Sequence, residues 1–313
     1  MAWPPEAGAT RLAAVDAARG VALAGMAAYH LSWDLANFGY VDIGFPTTAP
    51  MRLFSHAIAA SFLFLAGASL ALAHRGRVDW RAFARRLATI GAAAGLVSAA
   101  SYFFAPTQII GFGILHCIAL ASLLCAPLLR APAALALGLG ALALAVPALL
   151  ASPAFNPLAM IWIGLGTVEP MTLDWRPLLP WGGFVFLGLG LTRLGWPRLM
   201  ASRLARWRPG TVGRSVAWCG RHSLAIYLLH QPLLFAAFSV IGSALPAASA
   251  YEQACQSQCS KTGGDGARCA AVCGCVERSA TGAGLNLDAA PRVDEDATRQ
   301  RLAGIVAACV RAP

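Results

Sequence analysis

His30 and Asp34 stand four residues apart inside an apolar stretch. On a helix that spacing places both side chains on one face, so the carboxylate can accept a hydrogen bond from one ring nitrogen and leave the other as a base. An imidazole held this way suits proton abstraction or acyl acceptance. The competing role is a structural histidine near a helix end, bonded to a carbonyl. Asp16 and Arg19, three residues apart, can pair at the start of the same stretch, and Gly20 with the small residues after it permits close helix approach. An ion pair that fixes the helix end is the alternative there. Asp16 precedes His30 by 14 residues, which is about 21 Å of helix. The two sets therefore sit towards opposite faces of a membrane, and chemistry that uses both must reach across it.

Further ionisable groups lie in apolar surroundings: His116 within Gly111-Phe112-Gly113-Ile114-Leu115-His116-Cys117, Arg221 beside His222, and His230 followed by Gln231 and Pro232. Each such group costs several kcal/mol in hydrocarbon unless it is paired or faces a cavity, so each is a candidate site residue. His30, Asp34, His116 and His230 form the candidate catalytic set. Asp16, Arg19, Arg85, Arg86 and Arg221 form the candidate set for binding an anionic cofactor, because guanidinium groups bind phosphate bidentately. Helix–helix hydrogen bonding is the plainer role for His116 and His230. His56 and His74 fall at span ends, where solvent reaches them.

The elements that must position these residues are membrane spans. The chain has 313 residues, 58% hydrophobic and 12% charged, too apolar for a soluble domain. The expected fold is all-α, a polytopic transmembrane bundle of about seven helices over 12–33, 53–73, 87–104, 112–129, 133–150, 178–194 and 216–241, each near the length that crosses a bilayer. Residues 156–175 form a long outer connection with a short apolar piece. Two domains are expected, a membrane domain over 1–242 and a tail over 243–313.

Charge placement sets the expected topology. Residues 1–242 hold 17 Arg and no Lys against 7 acids, an excess of ten, whereas 243–313 hold 7 basic and 7 acidic residues. Arg75, Arg77, Arg81, Arg85 and Arg86 lie between spans two and three, Arg130 between four and five, and the run from Arg193 to Arg214 between six and seven. Positive-inside counting puts the N-terminus in the cytoplasm and, with an odd number of spans, the tail outside an inner membrane. The arginines fall in short clusters between apolar runs rather than in an aromatic-interleaved groove, so nucleic acid is not an expected partner. Residues 1–10 lack the basic start of a cleaved signal peptide.

Six of the nine cysteines, Cys255, Cys259, Cys269, Cys273, Cys275 and Cys309, crowd into the tail. Two C-x3-C pairs flank a Gly-rich segment with Gly263, Gly264 and Gly266. Spacing of four puts both cysteines of a pair on one helical face, so an antiparallel helical hairpin can be stapled Cys255–Cys273 and Cys259–Cys269, with Cys275 and Cys309 left to pair. A zinc site is the competitor, but C-x2-C is its usual spacing. An even cysteine count in an oxidising compartment favours disulfides, and no metal is expected.

Four segments together resemble the heparan-alpha-glucosaminide N-acetyltransferase catalytic-domain family, whose bacterial multi-pass members were formerly called DUF1624. They are Arg11-Leu12-Ala13-Ala14-Val15-Asp16-Ala17-Ala18-Arg19-Gly20, Tyr29-His30-Leu31-Ser32-Trp33-Asp34, Phe112-Gly113-Ile114-Leu115-His116, and Ser223 through Pro232 with His230. The resemblance runs from about Arg11 to Phe235 and leaves out the cysteine tail. It implies a membrane-embedded acyltransferase that takes an acyl group, acetyl in the family, from cytoplasmic acetyl-CoA or another acyl-CoA. The acceptor it implies is a glycan, amino sugar or other small molecule at the outer face, with His30 handling the acetyl group. The chain lacks the additional helices of the family's lysosomal member. Two other classes compete: a small-solute transporter lined by the same ionisable groups, for which no inverted repeat is found, and a redox or metal protein with His30, His116 and His230 as ligands.

Overall fold

A computed structural model describes residues 12–244, 250–261, 265–285, 287 and 295–311; Arg11, Gly263 and Gly264 lie outside them. All regular structure among the described residues is helical. In chain order the α-helices are α1 (Ala13–Asn37), α2 (Ala49–Ala73), α3 (Trp80–Phe104), α4 (Ile114–Leu124), α5 (Ala133–Leu150), α6 (Leu178–Ala201), α7 (Thr211–Arg221), α8 (Ser223–Ala244), α9 (Ala250–Lys261), α10 (Gly266–Gly282) and α11 (Glu295–Arg311). Five of them, α2, α3, α5, α6 and α8, are long and apolar enough to cross a membrane. α1 has the same length as α2 but carries Asp16, Arg19 and Asp34, and α4 has only 11 residues. These two expected spans thus fall short of the other five in apolarity and length respectively.

Local chemistry explains where the helices depart from the apolar runs. α3 begins seven residues before Leu87, because Asp79 caps it by accepting from the backbone N–H groups of Arg81 (2.9 Å) and Ala82 (3.0 Å). α4 stops early because Pro127, which lacks an N–H, opens a 3-10 turn over Pro127–Leu129. The last expected span is two helices, with His222 between α7 and α8 in a non-helical conformation.

The chain divides into two compact units. The first comprises Met1–Ala27 with Leu53–Gln231. Its core is a cluster of buried apolar residues that includes Leu63, Leu70, Cys117, Ala121, Ala136, Val185 and Leu189. Small residues let the helix backbones touch. A β-carbon on Gly67 would overlap the Val185 carbonyl, and one on Gly188 the Phe64 carbonyl, so α2 and α6 cross with a glycine of each against the other's backbone. Gly140 and Gly183 do the same for α5 and α6. Close backbone approach replaces the hydrophobic effect, which drives little association among lipid-solvated helices.

The connection from α5 to α6 is ordered by its own bonds, with Ser152 N–H to Leu165 O (2.9 Å), Leu178 N–H to Trp162 O (2.8 Å) and Leu179 N–H to Ile163 O (2.9 Å). Gly164 has φ +89°, and a β-carbon there would meet the Leu179 carbonyl, so only glycine fits.

The second unit comprises Ala28–Arg52 with Pro232–Pro313. Phe38 at the end of α1 packs on Phe235 (5.3 Å between ring centroids) and Phe238 (5.8 Å) of α8, and Tyr40 joins them (6.0 Å). In the tail, disulfides join Cys255 to Cys273, Cys259 to Cys269 and Cys275 to Cys309, each with Cα atoms 5.8 Å apart. The first two staple α9 to α10, and the third ties α10 to α11, a helix that the cysteine spacing alone did not foretell.

Candidate functional site

The Asp16–Arg19 pair is present on α1 at 3.1 Å, with Asp16 only 8% exposed. The i, i+3 register puts both on the face that meets α2 and α7. Arg19 Nη2 also donates to Ser69 Oγ of α2, whose hydroxyl donates to the Leu65 carbonyl. From α3, Arg86 Nη2 donates to the Ala66 carbonyl of α2 (3.1 Å). Two guanidinium groups from different helices thus converge on the Ala66–Ser69 turn, beside one carboxylate. Gly20 and Gly220 let α7 close this corner, because a β-carbon on Gly20 would overlap the Val216 carbonyl and one on Gly220 the Asp16 carbonyl. Arg221 follows Gly220 and is exposed, as is Arg85. Of the five residues in the cofactor set, Asp16, Arg19 and Arg86 are brought together, Arg221 follows the Gly220 that meets Asp16 but is exposed, and Arg85 faces outward.

A second polar centre surrounds His116. Gly113 N–H donates to His116 Nδ1 (3.2 Å), so in the neutral ring Nε2 carries the proton, and it lies 3.2 Å from Ser98 Oγ of α3. Ser98 in turn donates to the Ile110 carbonyl (2.6 Å). Both ring nitrogens therefore have protein partners, and the ring ties the start of α4 to α3. Beside it Asp174 Oδ2 accepts from Ile114 N–H (2.7 Å), Thr172 Oγ1 donates to Ile109 O (2.8 Å), and Arg176 Nη2 donates to Ser55 Oγ of α2 (2.9 Å). Burial pushes the Asp174 carboxyl above its ordinary range, with Arg176, the Ile114 bond and His116 opposing. Asp174, Arg176 and Ser98 were not among the sequence-derived candidates. Their partners lie far along the chain, 60 residues away for Asp174 and Ile114, so no spacing signals them.

On α8, His230 Nδ1 donates to the Tyr227 carbonyl one turn back (2.7 Å), which makes Nε2 the lone-pair nitrogen of the neutral ring. Tyr227 packs its ring 5.9 Å from His230.

His30 and Asp34 belong to the second unit. α1 is unbroken from Ala13 to Asn37, so their i, i+4 register holds. Asp34 is fully buried and His30 half-buried, with Tyr29 edge-on to the imidazole at 6.0 Å between centroids. Among the described residues no group of three or more His, Cys, Asp or Glu is placed to hold a metal ion.

Five helices long and apolar enough to cross a membrane, in a chain whose described residues form helices as their only regular structure, define a helical integral membrane protein. A family model described as heparan-alpha-glucosaminide N-acetyltransferase, catalytic, matches residues 11–232. The chain belongs to that family, a family of membrane acetyltransferases. It matches no curated protein and no solved structure.

Proposed function

We propose that the protein moves an acyl group, acetyl in the simplest case, from cytoplasmic acyl-CoA to an amino sugar or glycan acceptor at the outer face of the inner membrane. The observation that carries this is the family match over 11–232, which takes in all four motifs. The convergence of Arg19 and Arg86 on the Ala66–Ser69 turn supports phosphate binding at the arginine-rich end. With the N-terminus inside and the tail outside, the cysteine tail lies in an oxidising compartment, which fits its three disulfides.

In this mechanism Asp34 holds the His30 ring, and His30 takes a proton from the acceptor amine as its nitrogen attacks the thioester carbonyl. The C–N bond forms, the C–S bond breaks, and the CoA thiolate leaves and is protonated. His116, bonded at both ring nitrogens, fixes the start of α4 on α3. The experiment is turnover by purified protein in liposomes, following thiol release from acetyl-CoA with and without glucosamine or a glucosaminide. Acceptor-dependent release that is lost in His30→Ala is expected. No acyl-CoA binding and no transfer to any amino sugar would overturn the proposal. A membrane-impermeant label that reaches the tail only in broken cells would overturn the topology.

A further inference from the structure

A cavity of about 840 Å³ opens where the first unit's α2 and α6 end, lined by Arg75, Arg77, Trp80, Arg130, Arg193 and Trp196 among others. Two connections and one helix build it: the loop from α2 to α3, the turn before α5, and the later turns of α6. Four cations line it, and no acidic residue does. The nearest acid along the chain, Asp79, is turned to the start of α3, where the backbone bond from Ala82 holds its carboxyl below the usual range. Three of the four cations are held in place. The Arg75 guanidinium lies 3.7 Å over the Trp196 ring and Arg130 5.6 Å from that of Trp80, while Arg193 Nη1 donates to the Leu128 carbonyl (2.6 Å). Its volume is in the range of ligand sites.

We infer that this cavity binds the phosphate of an anionic phospholipid headgroup. Like-charged guanidinium groups gathered around an open cavity favour an anion there, and arginine pairs with phosphate bidentately. The position selects the source of that phosphate. The cavity lies at the ends of apolar helices long enough to span, where a span leaves the hydrocarbon at the depth of lipid phosphates, and Trp80, 45% exposed, and Trp196 are of the type that sits at such an interface. Basic pockets between spans on the cytoplasmic side hold anionic headgroups. The phosphates of a CoA ester carry the same chemistry and are the rival source.

The test compares wild type with Arg75→Gln/Arg130→Gln, residues outside the proposed catalytic and CoA-binding sets. Protein is reconstituted in phosphatidylcholine nanodiscs with or without phosphatidylglycerol, and retained lipid is counted by native mass spectrometry. The variant should retain phosphatidylglycerol with affinity lowered about thirtyfold, while acetyl-CoA affinity stays unchanged. If acetyl-CoA displaces the lipid, or the variant loses acetyl-CoA and keeps phosphatidylglycerol, the cavity is a nucleotide site and the inference fails. Equal retention of both by wild type and variant also overturns it. Should the variant not fold, brominated phosphatidylglycerol is used on wild type and Trp80→Phe/Trp196→Phe. Quenching of the wild type that exceeds that by brominated phosphatidylcholine and falls in the double variant supports the site, and equal quenching by the two lipids overturns it.

Discussion

Gly220 of α7 lies so close to Asp16 of α1 that any β-carbon at 220 would overlap the Asp16 carbonyl, and Gly20 meets Val216 in the same way. The glycine that follows Arg19 therefore serves a helix crossing. Gly220→Ala must push the two backbones apart and disturb the Asp16–Arg19 pair. Overpacking of this kind costs about 1–3 kcal/mol or more. A lowered melting temperature in detergent and weakened acetyl-CoA binding are expected, and a variant with wild-type melting contradicts the crossing.

Arg19 and Arg86 approach one turn of α2. If they receive CoA phosphates, replacing each with Gln removes a charge-assisted bond worth about 1.5–3 kcal/mol, so affinity should fall at least about tenfold per variant. Isothermal titration with acetyl-CoA measures this. Unchanged affinity in both variants removes them from the site.

For His30 and Asp34 the catalytic and structural roles separate in kinetics. His30→Ala should lower kcat by about 100- to 10,000-fold while acetyl-CoA binding and folding persist, and Asp34→Asn should lose less. A His30→Ala protein that folds and turns over normally ends the catalytic assignment. A protein that misfolds shifts weight to helix packing.

Asp174 links pH to stability. Its carboxyl is raised in the folded state, chiefly by burial. The folded protein then binds this proton more tightly than the unfolded chain, so the group's stabilising contribution is full below about pH 3.9 and is lost as pH rises through the folded value. Asp174→Asn removes that dependence. The difference in melting temperature, variant minus wild type, should increase as pH rises across the carboxylate range; a flat or opposite trend counts against the burial effect.

The tail's six cysteines are paired, and Cys117, Cys125 and Cys219 are free thiols. Alkylation of denatured, unreduced protein should therefore label those three alone. Breaking Cys255–Cys273 by paired Ser substitution should lower tail stability by about 2–4 kcal/mol, read by limited proteolysis.

Apolar runs long enough to cross a bilayer announced an all-helical membrane protein, because hydrocarbon leaves the backbone no partner except its own helix. The Asp16–Arg19 pair, the His30–Asp34 register and the C-x3-C faces were legible for the same reason. They are spacings within one helix or between two adjacent ones, and a period of 3.6 residues sets them. The family resemblance rested on those local motifs and was matched over nearly the same residues.

Contacts between distant segments required the tertiary structure. Nothing local says that Gly20 faces Val216, that Asp174 caps α4 from 60 residues away, or that His116 is bonded at both nitrogens through Gly113 and Ser98. The Arg75, Arg130 and Arg193 cluster read in sequence as topology charges alone, because a count of cations per loop does not say which loops meet. Helix crossing points decide that, and they depend on where small residues let two backbones touch.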